Sequence, residues 1–154
     1  MHVLLDTNVV LDAILQRPPW HKEADAILQA AGLGQVTCAA TTLTVATVFY
    51  VARKAVGIPK ARAAVQKCLG GLSILPIDKQ SLVDAEAMPG SDFEDNILIA
   101  AAITAALDAI VTRNVADFAH SPIPAWEPAE LLKRLRGSAS PPIGGGGPAT
   151  GVTP

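Results

Sequence analysis

Four mostly apolar residues, His2-Val3-Leu4-Leu5, run straight into Asp6-Thr7-Asn8, and this junction constrains everything after it. A short apolar run reads as a buried strand, central in a parallel sheet, because such strands are covered on both faces. Parallel sheets place their chemistry just past the carboxyl ends of their strands, and Asp6 stands at that edge. Thr7 and Asn8 open a helix, Val9 to Leu15, and either can cap it. Asp6 can itself be no more than a cap. The choice between cap and functional carboxylate rests on whether other acids converge on the same edge.

The rest of the chain alternates helix and strand. Arg17-Pro18-Pro19-Trp20 breaks the first helix pattern, and His21 to Ala31 has Ala24, Ile27, Leu28 and Ala31 on one face. Gly32 and Gly34 end that helix. Val36 to Ala39 is a second strand. Thr41 or Thr42 caps a helix to Val56, closed by Gly57 and rich in β-branched residues, so burial must hold it. Pro59 suits the first turn of a helix over Lys60 to Leu69, with Gly70-Gly71 behind it. Leu72 to Ile77 is a third strand, placed at an edge or ended by Pro76.

Asp78 caps a helix to Met88, and Pro89-Gly90 turns the chain. Ser91 or Asp92 begins the most apolar helix, Phe93 to Leu107, which belongs in the middle of the domain. Ala109 to Thr112 is a fourth strand, 115–119 a short helical turn, Ala125-Trp126 a last strand, and Pro128 to Leu135 a closing helix. These alternations predict an α/β fold, a three-layer α/β/α sandwich with a central parallel sheet. The domain spans residues 1–136. Residues 137–154 are rich in Gly, Pro and Ser, carry no charge and read as a disordered tail.

The chain's 154 residues, half of them hydrophobic, suit one domain with a sizeable core, and at 4% aromatic that core is aliphatic. A formal net charge of -2 gives no bulk nucleic-acid footprint, but the distribution is uneven. All acids fall in Asp6–Asp25 or Asp78–Glu130, while the window between carries Arg53, Lys54, Lys60, Arg62 and Lys67. A metal site facing a phosphate-bearing substrate needs both signs; the same cations can equally well solvate helix faces. Cys38 and Cys68 sit among apolar residues without metal or redox spacing, as small buried hydrophobes in a reducing cytoplasm. No basic leader precedes the first strand. Ile97 to Leu107 is too short to span a bilayer, which takes about 20 residues.

Three boundaries carry acids or amides: Asp6 after the first strand, Ser91-Asp92-Phe93-Glu94-Asp95 at the start of the apolar helix, and Arg113-Asn114-Val115-Ala116-Asp117 after the fourth strand. Asp92 and Asp95, three apart, can point to one side of the helix start, where the dipole favours carboxylates. Hard divalent cations such as Mg²⁺ or Mn²⁺ take oxygen ligands of this kind together with water. Each acid singly is an ordinary cap or surface charge; their joint placement is the signal.

Val3-Leu4-Leu5-Asp6-Thr7-Asn8-Val9-Val10-Leu11-Asp12, then Ser91-Asp92-Phe93-Glu94-Asp95 with Ile99-Ala100-Ala101-Ala102, then Val111-Thr112-Arg113-Asn114-Val115-Ala116-Asp117-Phe118 resemble, in order, the motifs of PIN-domain proteins. The resemblance implies a metal-dependent nuclease, with the VapC toxins of bacterial toxin–antitoxin pairs as the most numerous small members. It implies Mg²⁺ or Mn²⁺ as cofactor, an RNA substrate, an antitoxin partner, a homodimer and no membrane association. Asp6 and Asp95 match metal ligands of the family. Asn114 falls where many members carry a fourth acid, Asp117 lies one helical turn on, and Asp92 is an extra acid. Arg113 would contact phosphate, with Arg53 and Lys54 as a more distant cradle. The chain departs from the pattern in the helix after the second strand, where Thr47 takes the place of a Glu. That loses a negative charge and leaves two readings: a metal-dependent ribonuclease, or a PIN-fold module that binds RNA or protein with weak or lost catalysis. A haloacid-dehalogenase-type phosphatase fits less well, because Asn8 stands where that chemistry wants a second Asp.

Overall fold

The structure, a computed structural model, describes residues 1–138. Five parallel strands form one sheet: β1 (His2–Leu5), β2 (Thr37–Thr41), β3 (Ser73–Leu75), β4 (Ala109–Val111) and β5 (Ala125–Trp126), in the order β3-β2-β1-β4-β5. β1 is central, pairing with β2 (Val3 opposite Cys38) and with β4 (Leu4 opposite Ile110). Strand order reverses between β1 and β4, and a crevice opens at such a switch point beyond the carboxyl ends of the strands.

The strands alternate between two cores, as a period of two requires. Val3, Leu5, Cys38, Ala109 and Val111 pack on one face. There they meet α1 (Thr7–Leu15), α2 (His21–Gly32), α3 (Thr42–Val56), α4 (Ile58–Gly71) and α7 (Pro128–Ser138). Leu4, Ala39 and Ile110 face the other way, onto α6 (Phe93–Thr104), through Leu98, Ile99 and Ala102. α5 (Lys79–Glu86) packs on α6 through Ala85, Ile97 and Ala100. This is the expected α/β/α sandwich, with β1 buried on both faces: Val3 and Leu4 are fully inaccessible and Leu5 nearly so. No described helix is long and apolar enough to cross a membrane.

Several boundaries differ from the sequence expectation, each for a local reason. α4 starts at Ile58, because Pro59 fits its first turn, and continues through Gly70-Gly71 to its capping bond, Leu72 N–H to the Cys68 carbonyl. β3 is shorter than Leu72 to Ile77; it is an edge strand, and Pro76 has no N–H to extend its ladder. α6 stops at Thr104, and the Leu107 N–H returns to the Ala102 carbonyl around Ala106, which has a positive φ of 49°. α7 runs to Ser138, two residues into the stretch read as tail. The remainder of that expectation, 139–154, lies outside the described residues.

Candidate active site

Asp6 begins the site. It occupies the N-cap position of α1, yet its side chain makes no capping bond. It points instead to the neighbouring strand end, where the Thr112 hydroxyl donates to Asp6 Oδ2 at 2.9 Å. Thr112 in turn accepts from the Asn114 N–H at 3.0 Å. Below this pair, the Asp6 N–H bonds to the Val111 carbonyl at 2.9 Å, fixing the carboxyl ends of β1 and β4 against each other. Asp6 and Thr112 are both buried. Burial raises the Asp6 carboxyl above its ordinary range, while Thr112, the Asn8 and Thr7 N–H groups and the Arg113 charge pull it back.

The start of α6 supplies the facing acids. Asp92 caps the helix, accepting from the Glu94 N–H at 2.9 Å and the Asp95 N–H at 3.1 Å. This bond holds Asp95 in the first turn and orients Glu94, whose carboxylate accepts from the Thr7 hydroxyl at 3.3 Å. Thr7 also lies 3.3 Å from the Thr44 hydroxyl, and Thr44 lies 3.0 Å from that of Thr41, the N-cap of α3. A line of hydroxyls thus ties α1, α3 and α6 together under the site. Asn96, buried next to Asp95, braces the turn before α6 by donating to the Ala85 and Gly90 carbonyls, and it bonds His120 at 2.9 Å.

These elements enclose a cavity of about 330 Å³, lined by Asp6, Thr7, Asn8, Arg17, Thr47, Asp92, Glu94, Asp95, Asn114 and Asp117 among others. The candidates Asp6, Asp92, Asp95, Asn114 and Asp117 therefore share one space, and Thr47 stands in its wall. Asp95 carries the signature of that crowding. Its carboxyl is pushed up to about 7, by burial first and then by Asp92, Asp6, Asp117 and Glu94. Burial and then repulsion among the five carboxylates around one concavity both favour the protonated form of Asp95.

The basic candidates lie elsewhere. Arg113 pairs through Nε with Asp12 Oδ2 at 3.2 Å, and its guanidinium stacks 4.0 Å from the Trp20 ring. It is engaged with Asp12 rather than facing the cavity. Arg53 lies on exposed α3 residues, stacked 4.5 Å over Tyr50, and Lys54 follows it in solvent; neither lines the cavity. Three residues of the site were not singled out from sequence. Glu94 stood inside a quoted motif, but three acids in four positions gave no reason to separate it from its neighbours. Arg17 reaches the cavity wall from the loop after α1. Asp12 is 1% exposed and pairs with Arg113, far along the chain but just past the neighbouring strand, a contact that spacing along the chain does not reveal.

The donor set fits an oxygen-preferring divalent cation in kind and charge. Among the described residues no three His, Cys, Asp or Glu side chains are grouped so as to hold a metal ion unaided. A small hard cation that keeps several of its own waters needs only one or two protein carboxylates, so this arrangement is compatible with Mg²⁺.

An all-parallel, doubly wound sheet with an acidic crevice at its switch point defines an α/β protein whose candidate site lies at the carboxyl ends of β1 and β4. The chain belongs to the PIN-domain family: residues 2–116 match the family model described as PIN domain. No curated protein matches it. Among solved structures it is similar to VapBC2 from Rickettsia felis bound to a promoter DNA fragment, at 18% identity and a TM-score of 0.62, covering 82% of this chain and 100% of that one. It is also similar to a toxin–antitoxin complex from Klebsiella pneumoniae, at 25% identity and a TM-score of 0.61, covering 82% and 97%. DNA-bound VapBC from Salmonella typhimurium aligns at 20% identity and a TM-score of 0.62, covering 83% and 98%.

Proposed function

We propose that this protein is a divalent-metal-dependent ribonuclease, using Mg²⁺ or Mn²⁺, and that it acts as the toxin of a toxin–antitoxin pair. Family membership and the toxin–antitoxin assemblies among its structural relatives support the reading. The observation that carries it is the cavity that gathers Asp6, Asp92, Glu94, Asp95 and Asp117, where burial first and then the four other acids push the Asp95 carboxyl up to about 7. Such a site gains free energy from a cation, which offsets the repulsion that otherwise keeps a proton there.

In this reading Asp6 and Asp95 hold the ion, with Asp92, Asp117 and Asn114 as further oxygen donors around it. A bound divalent cation supplies an activated water and stabilises charge developing on a phosphodiester. The chain's own part is positional. Thr112 fixes the rotamer of Asp6 and shields one of its oxygens from solvent. The cap at Asp92 sets the direction of Asp95. Asp95, its carboxyl pushed up to about 7, would release its proton to solvent on binding a cation. An antitoxin partner and a homodimer belong to the same proposal.

The second reading, a PIN-fold binding module with weak or lost catalysis, is favoured by one observation. Thr47 lines the cavity with a hydroxyl where a carboxylate would complete the ligand set. A metal titration separates the two, run on wild type, Asp6→Asn and Thr47→Glu alongside cleavage of a generic RNA. The ribonuclease reading expects saturable Mg²⁺ or Mn²⁺ binding, loss of cleavage in Asp6→Asn, and tighter metal binding in Thr47→Glu, because affinity rises with ligand charge. Wild type that neither binds the ion nor cleaves, with Asp6→Asn indistinguishable from it, would establish the binding module instead.

A further inference from the structure

The loop Arg17-Pro18-Pro19-Trp20 breaks the helix pattern and carries two side chains, Arg17 and Trp20, that the proposed metal ligation leaves without a role. Trp20 is 45% exposed, a large amount for the biggest apolar side chain. Its ring is covered by the Arg113 guanidinium at 4.0 Å. Arg113 is held in turn by buried Asp12 at 3.2 Å, so the stack is anchored to the core rather than loose on the surface. Asn114, the next residue, lines the acidic cavity, so the Arg113–Trp20 stack adjoins a residue of the cavity wall along the chain. Arg17 lines the cavity itself. It lies 3.9 Å from Asp12 Oδ1, too far for a hydrogen bond, and that buried oxygen has no hydrogen-bond partner. Among the described residues, no hydrogen bond occupies the Arg17 guanidinium; it makes a long ion pair to buried Asp12, which leaves its donors available to an anion at the cavity mouth.

We propose that Trp20 and Arg17 form a nucleotide subsite beside the acidic cavity, Trp20 stacking on one unpaired base of a single-stranded RNA and Arg17 contacting an adjacent phosphate. This rests on the ribonuclease reading for its choice of polymer, and it assigns where a nucleotide flanking the scissile bond sits. Every base has a π-face, so an exposed aromatic backed by a fixed cation binds single strands without regard to sequence. A duplex keeps its bases stacked inside and offers nothing to the indole. The anchoring through Asp12 gives the platform its rigidity.

The test measures binding of a short mixed-sequence single-stranded RNA to the full chain in EDTA and low salt, where metal-dependent cleavage is silent. Trp20→Ala should weaken binding by roughly 5- to 150-fold, and Trp20→Phe should restore most of it. Arg17→Gln should flatten the log–log salt dependence by about 0.7, one phosphate contact to a single strand. With Trp126→Phe, Trp20 is the only indole left, and its fluorescence should quench saturably with RNA. The subsite is refuted if wild type binds no RNA, if Trp20→Ala keeps its melting temperature and binds like wild type, or if the lone indole ignores saturating RNA. Cleavage with unchanged Trp20→Ala affinity would remove the subsite and leave the ribonuclease. Loss of affinity in Trp20→Ala with no metal-dependent cleavage by wild type would do the reverse.

Discussion

Asp95→Asn should make the metal-free protein more stable at alkaline pH, although it removes a residue the function needs. The sign follows from linkage. An Asp whose folded pKa lies above its unfolded value binds its proton more tightly when folded. The stability it contributes is complete below the unfolded value of 3.8 and is lost as pH rises toward the folded value of about 7. A gap of about 3 units at ~1.36 kcal/mol per unit gives a ceiling of about 4 kcal/mol. Asp95 is partly exposed, so solvent screening reduces this to about 2 kcal/mol. For a domain of this size, that corresponds to roughly 4–8 °C in melting temperature. Asn keeps the shape and gives up a helix-dipole interaction of about 0.3–1 kcal/mol, so the net gain above neutrality is about 1 kcal/mol. The assay is a series of thermal melts in EDTA from about pH 5 to about pH 8.5, wild type against Asp95→Asn. Wild type should lose stability as pH rises and the variant should lose less, the curves crossing near neutrality. Repeating the series with Mg²⁺ or Mn²⁺ should raise wild type most at high pH, where no proton competes. A wild-type melting temperature that is flat or rises with pH in EDTA, or a variant with the same slope, would refute the electrostatic account of the cavity.

Thr112→Val removes the hydroxyl that donates to Asp6 and accepts from Asn114 while keeping the side chain's shape. It should cost about 1–3 kcal/mol in urea unfolding, because a buried carboxylate oxygen loses its partner, and it should weaken divalent-ion binding by pushing Asp6 further toward its protonated form. Arg113→Ala leaves Asp12 buried with only Arg17 at 3.9 Å, and should cost up to about 3–5 kcal/mol. The double variant Asp12→Asn/Arg113→Ala should be more stable than Arg113→Ala alone. If the two single-site costs simply add in a double-mutant cycle, the pair is not coupled as its geometry implies.

The parts of this molecule that were legible in sequence are those set by local pattern. The apolar run ending at Asp6, the Asp78 cap, Pro59 in a first turn, and Asp92 as one of the two residues named to begin its helix all act within a few residues, and the structure shows each. Thr41 caps α3 as one of the two candidates named for it, accepting from the Thr44 N–H at 3.0 Å. For the helix after β1, Thr7, Asn8 and Asp6 itself all stand as possible caps in sequence; Asp6 holds the N-cap position, but its side chain bonds Thr112 rather than making a capping bond. The reason is nonlocal: Thr112, 106 residues on, offers a better donor. Arg113 shows the same limit. Its place beside Asn114 suggested a phosphate contact, but a buried carboxylate at Asp12 needs a cation more than solvent-exposed space does.

The charge attributed to Thr47 can be followed in the same way. In sequence the site is short of one acid, because the helix after β2 has none. In space, Glu94 enters the same cavity from the start of α6 and contributes to the rise in Asp95's pKa. Its carboxylate is held by Thr7, which lies against Thr44 on α3, the helix that also carries Thr47. The negative charge missing from one wall is thus present on another, tied to α3 through hydroxyls rather than carried on it. An acid that arrives from the α6 side is three residues or fewer from Asp92 and Asp95, so it adds repulsion as well as donor capacity. A Glu on α3 would approach from the opposite wall and meet less of it. Thr47→Glu should therefore tighten cation binding while costing the metal-free protein stability, and Thr47→Glu/Glu94→Gln should keep most of the affinity and recover part of that cost. If the double variant binds the ion no better than Glu94→Gln alone, position 47 does not face the ion, and the site's charge resides wholly on the Asp6 and α6 walls.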